Sequence, residues 1–298
     1  MLSVLMPVYN TDVRFLASQL SQEGLELGIP FEIRIYDDAS DAAFLLLNQT
    51  LDQFPGVVYH RLPENVGRSK IRNLLANAAV YDFLVFLDAD SAIPQPGFLR
   101  RYWLLRDASS VLYGGRCYAD LPPAHRDLLL HWRVGHKKEQ MDVASRQKQP
   151  YLSFMSNNFL IHRRVFERFG FDEKIKTYGH EDTVFGLILQ QNSVPILHLD
   201  NPLQHTGLEP ARVFLDKSRT AALNLLPLQQ RYPALRTPLL RTFEWLGQVP
   251  GARRAFSLLE KPLRGLLLRW DYCPLWVFDL FKLSCVCNGF FRGADNPR

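Results

Sequence analysis

Apolar runs alternate with helical patterns through the first 90 residues, and this alternation constrains the fold more than any other feature. The apolar run "LSVLMPVY" is followed by the helical pattern "VRFLASQLSQEGLEL", and "FEIRIYDD" is followed by "AAFLLLNQTLDQF". "GVVYHRL" and "DFLVFLDAD" are further strand-like segments, with the helical pattern "GRSKIRNLLANAAVY" between them. Strands that alternate with helices of this length predict an α/β fold with a mostly parallel sheet and helices on both faces.

The second half of the sequence is less regular. "VLYGGRCYA" and "PILHL" are strand-like, "SFMSNNFLIHRRVFERFG" is typical of a strand that enters a helix, and "GHEDTVFGLILQQ" is typical of a helix. The long polar segment "RDLLLHWRVGHKKEQMDVASRQ" also favours a helix. From about Lys217 onward the pattern is helical and repeatedly interrupted by proline. We therefore predict one domain over residues 1–230 and a helical, basic, amphipathic region over residues 231–298.

The composition is that of an ordinary globular protein. Hydrophobic residues make up 47% of the 298 residues and charged residues 22%, which fits one large domain with an appendage or two modest domains. The net charge of +5 fits a phosphate-bearing ligand or an anionic membrane surface and does not distinguish them. The four cysteines form no CxxC pair, so we expect reduced thiols.

The sequence predicts neither a signal peptide nor a membrane span. The segment "MLSVLMPVYN" has no basic start and reaches Pro7 before an apolar stretch of signal-peptide length, so a first strand is the better interpretation. The apolar segment "PLWVFDLFKLSCVCNGFF" is broken by Asp279 and Lys282. We expect a cytoplasmic protein that is soluble or peripheral at the inner face of the membrane.

Five polar residues directly follow predicted strands: Asn10, Asp37, Asp38, Asp88 and Asp90. The carboxyl ends of parallel strands meet at one edge of a sheet, where ligands bind, so we expect these residues along one edge. Asp88 and Asp90 end a buried strand, and acids in such a place need a partner. Asp90 either binds a metal ion or only caps the turn that begins "SAIPQPG".

Six short motifs occur in order along the chain: "LSVLMPVYN", "IYDDAS", "NVGRSKIRN", "FLDADS", "FGFDE" and "GHEDT". Their order and identity resemble those of family 2 glycosyltransferases with the GT-A fold. The resemblance covers roughly residues 2 to 225 and implies a Rossmann-like GT-A domain with a helical C-terminal extension. It further implies the bacterial polysaccharide or glycoconjugate type of this family.

The resemblance implies an inverting, metal-dependent glycosyltransferase. Such an enzyme moves a sugar from a nucleotide-diphosphate sugar to a hydroxyl of a saccharide or lipid-linked acceptor in surface glycan synthesis. UDP is the favoured nucleotide, and the transferred sugar is of the hexosyl or N-acetylhexosaminyl type. We expect no nucleic-acid partner, and the sequence identifies neither the sugar nor the acceptor.

The resemblance also implies a metal site with Mn²⁺ or Mg²⁺ as the cofactor. Asp90 would bind the ion directly, and Asp88 would contact the ribose or reach the metal through water. His205, from a late loop, would complete the metal shell, although a single histidine of this kind is equally compatible with a structural role. Asp and His together suit Mn²⁺ and tolerate Mg²⁺.

The donor-binding residues follow from the same motifs. The resemblance implies that Asp38 accepts the ring N–H of the nucleotide base, although Asp38 could instead form only an Asx turn. The remaining donor-binding residues implied are Pro7, Tyr9, Asn10, Asn65, Arg68, Arg72 and Ala89. Arg68 and Arg72 share one helix face, which is either a donor-binding face or simply a solvated one.

Glu181 and Asp182 begin a predicted helix. The resemblance implies that Asp182 is the base that deprotonates the acceptor hydroxyl, and that Glu181 positions the acceptor or has a structural role. Acids are also favoured in the first turn simply by the helix dipole. That dipole lowers the pKa of Asp182 and opposes a basic role, unless burial raises the pKa.

The C-terminal region combines basic residues with leucines and aromatic residues at helical spacing. It could lie on an anionic membrane surface, pack on its own catalytic domain or form a dimer contact. Processive synthases of the family carry a QxxRW motif. Leu266 stands where that glutamine would be, before Arg269 and Trp270, so a single-addition enzyme is preferred.

Two other classes remain as alternatives. A sugar-nucleotidyltransferase would place a glycine-rich loop after the first strand, whereas this chain has "PVYNTD". A non-catalytic nucleotide-sugar-binding protein of the same fold would be supported by loss of Asp90 or Asp182, and both residues are present.

Overall fold

The computed structural model describes residues 1–294, and these residues form two compact units. The first consists of Met1–Ala119, Glu139–Lys176 and Glu181–Gly207. The second consists of Asp120–Lys138, Thr177–His180 and the described residues from Leu208 onward. The division at Leu208 precedes the boundary predicted at residue 230, and the last residues of the predicted C-terminal region, 295–298, lie outside the described part of the chain.

The strands all belong to the first unit. In chain order they are β1 (Leu2–Val8), β2 (Phe31–Asp37), β3 (Val57–Arg61), β4 (Phe83–Leu87), β5 (Ser91–Ala92), β6 (Val111–Tyr113), β7 (Arg116–Cys117), β8 (Asn158–His162), β9 (Ile196–His198) and β10 (Leu203–His205). Within residues 1–294 they form a seven-stranded sheet of order β3-β2-β1-β4-β8-β6-β9 and a small sheet of order β5-β10-β7. In the large sheet only β8 runs antiparallel to its neighbours. The predicted mostly parallel sheet is confirmed.

Helices of the first unit flank this sheet, and the second unit consists mainly of helices. They are α1 (Arg14–Glu26), α2 (Ala42–Asn48), α3 (Arg68–Ala78), α4 (Phe98–Leu105), α5 (Leu129–Val134), α6 (Val143–Gln147), α7 (Arg163–Phe169), α8 (Glu181–Gln191), α9 (Ala211–Arg231), α10 (Pro238–Leu246), α11 (Ala252–Ser257), α12 (Glu260–Arg269) and α13 (Leu275–Ala294). Of these, α5 and α9 to α13 belong to the second unit.

The polar segment over residues 126–147, predicted to be helical, is helical over most of its length but does not form one continuous helix. The segment contains α5, a π-helical turn at Gly135–Glu139, and α6. Asp142 is extended and its side chain caps α6 by accepting the N–H of Ser145 at 2.8 Å. An N-cap residue has non-helical backbone angles, so a continuous helix cannot pass through this position.

β1 is buried on both faces, which explains its uninterrupted apolar sequence. Leu2, Val4, Met6 and Val8 belong to one hydrophobic cluster and Leu5 to the other. This division is expected because successive side chains of a strand point to opposite faces. A central strand of a parallel sheet that is covered on both sides is therefore continuously apolar.

The pairing of β1 with its two neighbours ends at different places. Its ladder with β4 ends at Leu5 opposite Phe86, whereas its ladder with β2 continues to Val8. Pro7, which has no N–H, therefore lies beyond the last pair with β4. Since the strand order reverses between β1 and β4, their carboxyl ends border the crevice in which such sheets bind ligands.

The second unit is held by contacts among its own helices. The ring of His131 on α5 stacks on Phe214 of α9 with centroids 4.3 Å apart. Arg133 donates to the carbonyl oxygens of Asp271 and Cys273 at 2.7 and 3.0 Å. Among residues 1–294, no helix is long and apolar enough to cross a membrane.

Candidate active site

Asn10 connects the loop after β1 to the loop after β2. Its backbone N–H donates to Ser40 Oγ at 2.8 Å, its side-chain Nδ2 donates to Asp41 Oδ2 at 3.0 Å, and Asp41 N–H donates to its Oδ1 at 2.8 Å. Asn10 has a φ of +49°, a left-handed conformation that asparagine adopts more readily than most residues. Its amide therefore aligns two loops, whereas the neighbouring Tyr9 is 53% exposed and presents its ring at this edge.

Asp38 holds the segment that leads into α3. Its Oδ1 accepts the backbone N–H of Val66 at 2.7 Å and its Oδ2 accepts that of Gly67 at 3.1 Å. Asn65 Nδ2 donates to the Asp38 carbonyl oxygen at 3.1 Å. Burial raises the pKa of Asp38 despite these two bonds. Because a carboxylate offers about four lone-pair sites, each oxygen still has one for a ligand.

Asp88, the first acid after β4, lies between two guanidinium groups. Arg72 on α3 is buried and donates from Nη2 to Asp88 Oδ1 at 2.6 Å. Arg116 on β7 approaches the other oxygen, with Nη2 3.5 Å from Asp88 Oδ2. The backbone N–H of Asp88 donates to the carbonyl oxygen of Asn157 at 3.0 Å. The position of Asp88 is thus fixed by protein groups on both sides.

Sequence reasoning missed Arg116 and Glu139. Arg116 Nη1 donates to Glu139 Oε2 at 3.1 Å, and Tyr118 OH donates to the same oxygen at 2.5 Å. Glu139 comes from the π-helical turn, and no sequence spacing connects it to Arg116. The only available signal is an arginine that directly follows two glycines in a strand-like segment.

The small sheet brings Asp90 and His205 together. β5 and β10 pair antiparallel with His205 opposite Ser91, and His205 Nδ1 lies 3.5 Å from Asp90 Oδ1. Thr206 N–H donates to the Asp90 carbonyl oxygen at 2.8 Å. Burial raises the pKa of Asp90, but His205 and Arg116 outweigh that effect and hold it well below its ordinary value. Asp90 is therefore ionised at neutral pH.

Asp90 and His205 offer two ligand types that a divalent cation takes. An oxygen and a nitrogen donor side by side suit Mn²⁺ and tolerate Mg²⁺. Gly207 keeps the surroundings of the carboxylate open, because a Cβ there would lie 2.6 Å from Asp90 Oδ2. Among the described residues, no three or more His, Cys, Asp or Glu side chains lie close enough together to hold a metal ion. Asp88, predicted to help bind the metal, therefore does not form a three-ligand site with Asp90 and His205.

α8 presents Glu181 and Asp182 in its first turn. Phe185, one turn later, stacks on Phe171 with centroids 4.5 Å apart and fixes the helix on an apolar cluster. The buried Glu181 has its Oε1 3.3 Å from Arg68 Nη1. Burial raises the pKa of Glu181, but the positive charges of Arg68 and Arg72, together with hydrogen bonds, outweigh that effect and the pKa is lowered.

The pKa of Asp182 is shifted in the opposite direction, upward. Burial and the adjacent Glu181 carboxylate raise the pKa of Asp182 to about 6. The N–H and hydroxyl of Thr183 both contact Asp182 Oδ1, at 2.7 and 3.3 Å. Burial thus outweighs the helix dipole, and the two acids differ in proton affinity, as an acid–base site requires.

A surface pocket of about 550 Å³ opens elsewhere in the first unit, between α1 and α4. Glu23 lines it and accepts the backbone N–H groups of Gly97, Phe98 and Leu99 at 2.7, 3.0 and 2.7 Å. Glu23 is therefore a cap for α4. The residues that line this pocket include none of the predicted site residues.

In a doubly wound sheet, ligands bind beyond the carboxyl ends of the strands, and acids and arginines lie there in this protein. Residues 3–170, more than half of the chain, match the family described as glycosyl transferase family 2. The chain therefore belongs to this family of glycosyltransferases.

Two relatives support this assignment. Chondroitin synthase of Pasteurella multocida (strain Pm70) is 27% identical over 272 residues, which cover 80% of this chain. The chain spans only 28% of the length of that protein. An uncharacterized glycosyltransferase of Haemophilus influenzae is 27% identical over 199 residues, covering 63% of this chain and 70% of that protein.

Solved structures confirm the GT-A fold. A mannosyltransferase from Pyrobaculum calidifontis, in complex with GDP-Man and Mn²⁺, aligns over 100% of this chain and 88% of its own with a TM-score of 0.62 and 13% identity. S. aureus TarS 1–349, in complex with UDP-GlcNAc, aligns over 98% and 92% with a TM-score of 0.50 and 18% identity.

Proposed function

We propose that this glycosyltransferase is inverting and metal-dependent, with a UDP-sugar as donor and a hydroxyl of a saccharide or lipid-linked molecule as acceptor. The observation that carries the proposal is the juxtaposition of Asp90 and His205 just beyond β4, at the crevice between β1 and β4. The sugar nucleotide would lie across this crevice, with its base against Tyr9 and Asp38. The transferred sugar would be a hexose or an N-acetylhexosamine.

Asp90 and His205 would hold the cation, and oxygens of the donor diphosphate would complete its coordination. When bound, the ion neutralises negative charge that develops on the leaving diphosphate. Asp88, already fixed by Arg72 and Arg116, would orient the ribose through its remaining lone pairs. Arg68, at the start of α3, would add positive charge beside the diphosphate.

The relatives support this choice of donor class. The mannosyltransferase carries GDP-Man and Mn²⁺, and TarS carries UDP-GlcNAc. A chondroitin synthase matches 80% of this chain, so we propose that the acceptor is a growing or lipid-linked saccharide of surface glycan synthesis. Membership in family 2 argues against the alternative of a sugar-nucleotidyltransferase.

Asp182 would be the base that takes the proton of the acceptor hydroxyl. A carboxylate whose pKa is raised to about 6 is a stronger base than an ordinary one and remains largely ionised at pH 7. Its Oδ1 is engaged by Thr183, so Oδ2 would receive the proton. The presence of this base argues against a non-catalytic nucleotide-sugar-binding protein.

Metal-dependent donor binding is testable by thermal unfolding. UDP with Mn²⁺ should stabilise the protein by about 2.7 kcal/mol at a nucleotide concentration one hundred times Kd. The part of this stabilisation that requires Mn²⁺ should vanish in Asp90→Ala. It should persist in the control Asp107→Ala, which removes an exposed acid paired with Arg106. If Asp90→Ala is stabilised as much as the wild type, the proposed metal site is wrong.

The role of Asp182 predicts a separation between binding and turnover. Asp182→Asn should bind UDP normally, since it keeps the acceptor for Thr183, and should lose transfer by about 10²- to 10⁴-fold. Wild-type turnover should fall as the pH drops through about 6, because a protonated Asp182 cannot accept a proton. Turnover that persists in Asp182→Asn, or stays constant from pH 7 to 5, would contradict the assignment.

We also propose that the second unit contacts an anionic membrane surface. Trp270, Tyr272 and Trp276 are 54%, 68% and 61% exposed, and a turn that links Trp270 O to Cys273 N–H at 3.0 Å keeps them close. Tryptophan and tyrosine favour the membrane–water interface. From residue 252 to 294 the sequence contains seven Lys and Arg against three Asp and Glu, which favours anionic lipid.

Vesicle co-sedimentation checks this membrane contact. The wild type should bind vesicles that contain phosphatidylglycerol better than pure phosphatidylcholine vesicles, and Trp270→Ser with Trp276→Ser should reduce this binding. The control is Trp245→Ser, which removes a tryptophan that is 62% exposed on α10. Equal binding of all three proteins, or no preference for anionic lipid, would count against the contact.

A further inference from the structure

Arg68 and Arg72 lie one turn apart on α3 but have opposite environments. Arg72 is 4% exposed and bonds Asp88 at 2.6 Å, whereas the Arg68 side chain is 52% exposed and its Nη1 reaches Glu181 at 3.3 Å. Breaking a buried ion pair leaves an uncompensated charge, while an exposed arginine that leaves its partner is readily hydrated. Arg68 is therefore the arginine of the pair that can exchange partners.

Glu181 keeps other stabilising partners when Arg68 moves away. Arg72, on the same helix as Arg68, also lowers the pKa of Glu181. Glu181 is in addition the first residue of α8, where the helix dipole favours a negative charge. The carboxylate can thus remain ionised without Arg68.

A diphosphate is a stronger partner for Arg68 than Glu181 is. Arginine makes paired, charge-assisted hydrogen bonds to phosphate, whereas here one nitrogen approaches one carboxylate oxygen at 3.3 Å. Arg68 directly follows Gly67, whose N–H is bound by Asp38 at 3.1 Å. The arginine therefore starts from the edge of the sheet at which the donor would bind.

We propose that Arg68 is a positioning residue with two alternative partners, Glu181 in the free protein and the donor diphosphate in the complex. This proposal rests on the proposed function, since it assumes that a nucleotide diphosphate binds at this edge. Glu181 then competes with the donor for the guanidinium group. Donor binding releases the Glu181 carboxylate beside Asp182, where it can accept a hydroxyl of the acceptor.

This competition predicts that substitutions of Arg68 and of Glu181 change the affinity for the nucleotide in opposite directions. With UDP or GDP and Mn²⁺ as probes in calorimetric titrations, Arg68→Gln should raise Kd about tenfold or more. Glu181→Gln should instead lower Kd about two- to fivefold, the range for loss of an ion pair whose arginine is exposed to solvent. In the double variant, Glu181→Gln should have no further effect, because its competitor is already absent.

Matched controls separate this exchange from general charge effects. Glu167→Gln removes the same charge beside Arg163, 3.9 Å away in another part of the first unit, and should leave Kd unchanged. Arg68→Lys should recover part of the affinity, and thermal unfolding should show that every variant is folded. The exchange is overturned if Glu181→Gln alone leaves Kd unchanged or raises it. It is also overturned if Glu181→Gln lowers Kd as much in the Arg68→Gln protein as it does in the wild type. If the wild type binds neither nucleotide, the proposed function itself fails together with the exchange.

Discussion

The ladder between β1 and β4 ends at Leu5, three residues before β1 itself ends, and the site depends on this early separation. Up to the pair Leu5–Phe86 both strands lie in the hydrophobic core, and these two side chains are fully buried. Beyond Leu5 the strands β1 and β4 are no longer paired. Pro7 lies in this unpaired part, so its missing N–H costs no hydrogen bond to β4. The polar residues that follow β1 and β4 can then face each other across a crevice, and the small sheet adds His205 next to Asp90.

The acids of this site remain compatible with folding because each has a defined partner. Arg72 and Arg116 compensate Asp88, and Arg68 compensates Glu181. A buried carboxylate with no positive charge or hydrogen-bond donor nearby would cost several kcal/mol. Asp182 lies next to the Glu181 carboxylate, and its described hydrogen bonds come from neutral groups of Thr183. The pKa of Asp182 is therefore raised, whereas that of Glu181 is lowered. The same arrangement that permits the acids to be buried therefore also gives them different proton affinities.

Much of this architecture could be predicted from the sequence, because apolar period and chain order determine it. The strands and the edge that carries Asp38, Asp88 and Asp90 follow from buried runs that end in polar residues. The ion pairs could not be predicted, since Arg68 and Glu181 are separated by 113 positions and meet only through tertiary packing. The pKa of Asp182 was equally beyond sequence reasoning, because dipole and burial oppose each other and only the structure gives the extent of burial.

The most direct test of a metal-dependent transferase site is the location of the metal itself. A crystal of the protein grown with UDP and Mn²⁺ should give an anomalous manganese peak within about 2.3 Å of an Asp90 carboxylate oxygen and of a His205 ring nitrogen. Diphosphate oxygens should supply further ligands to the same ion. UDP bound in the crevice without manganese, or manganese bound away from Asp90 and His205, would contradict the account.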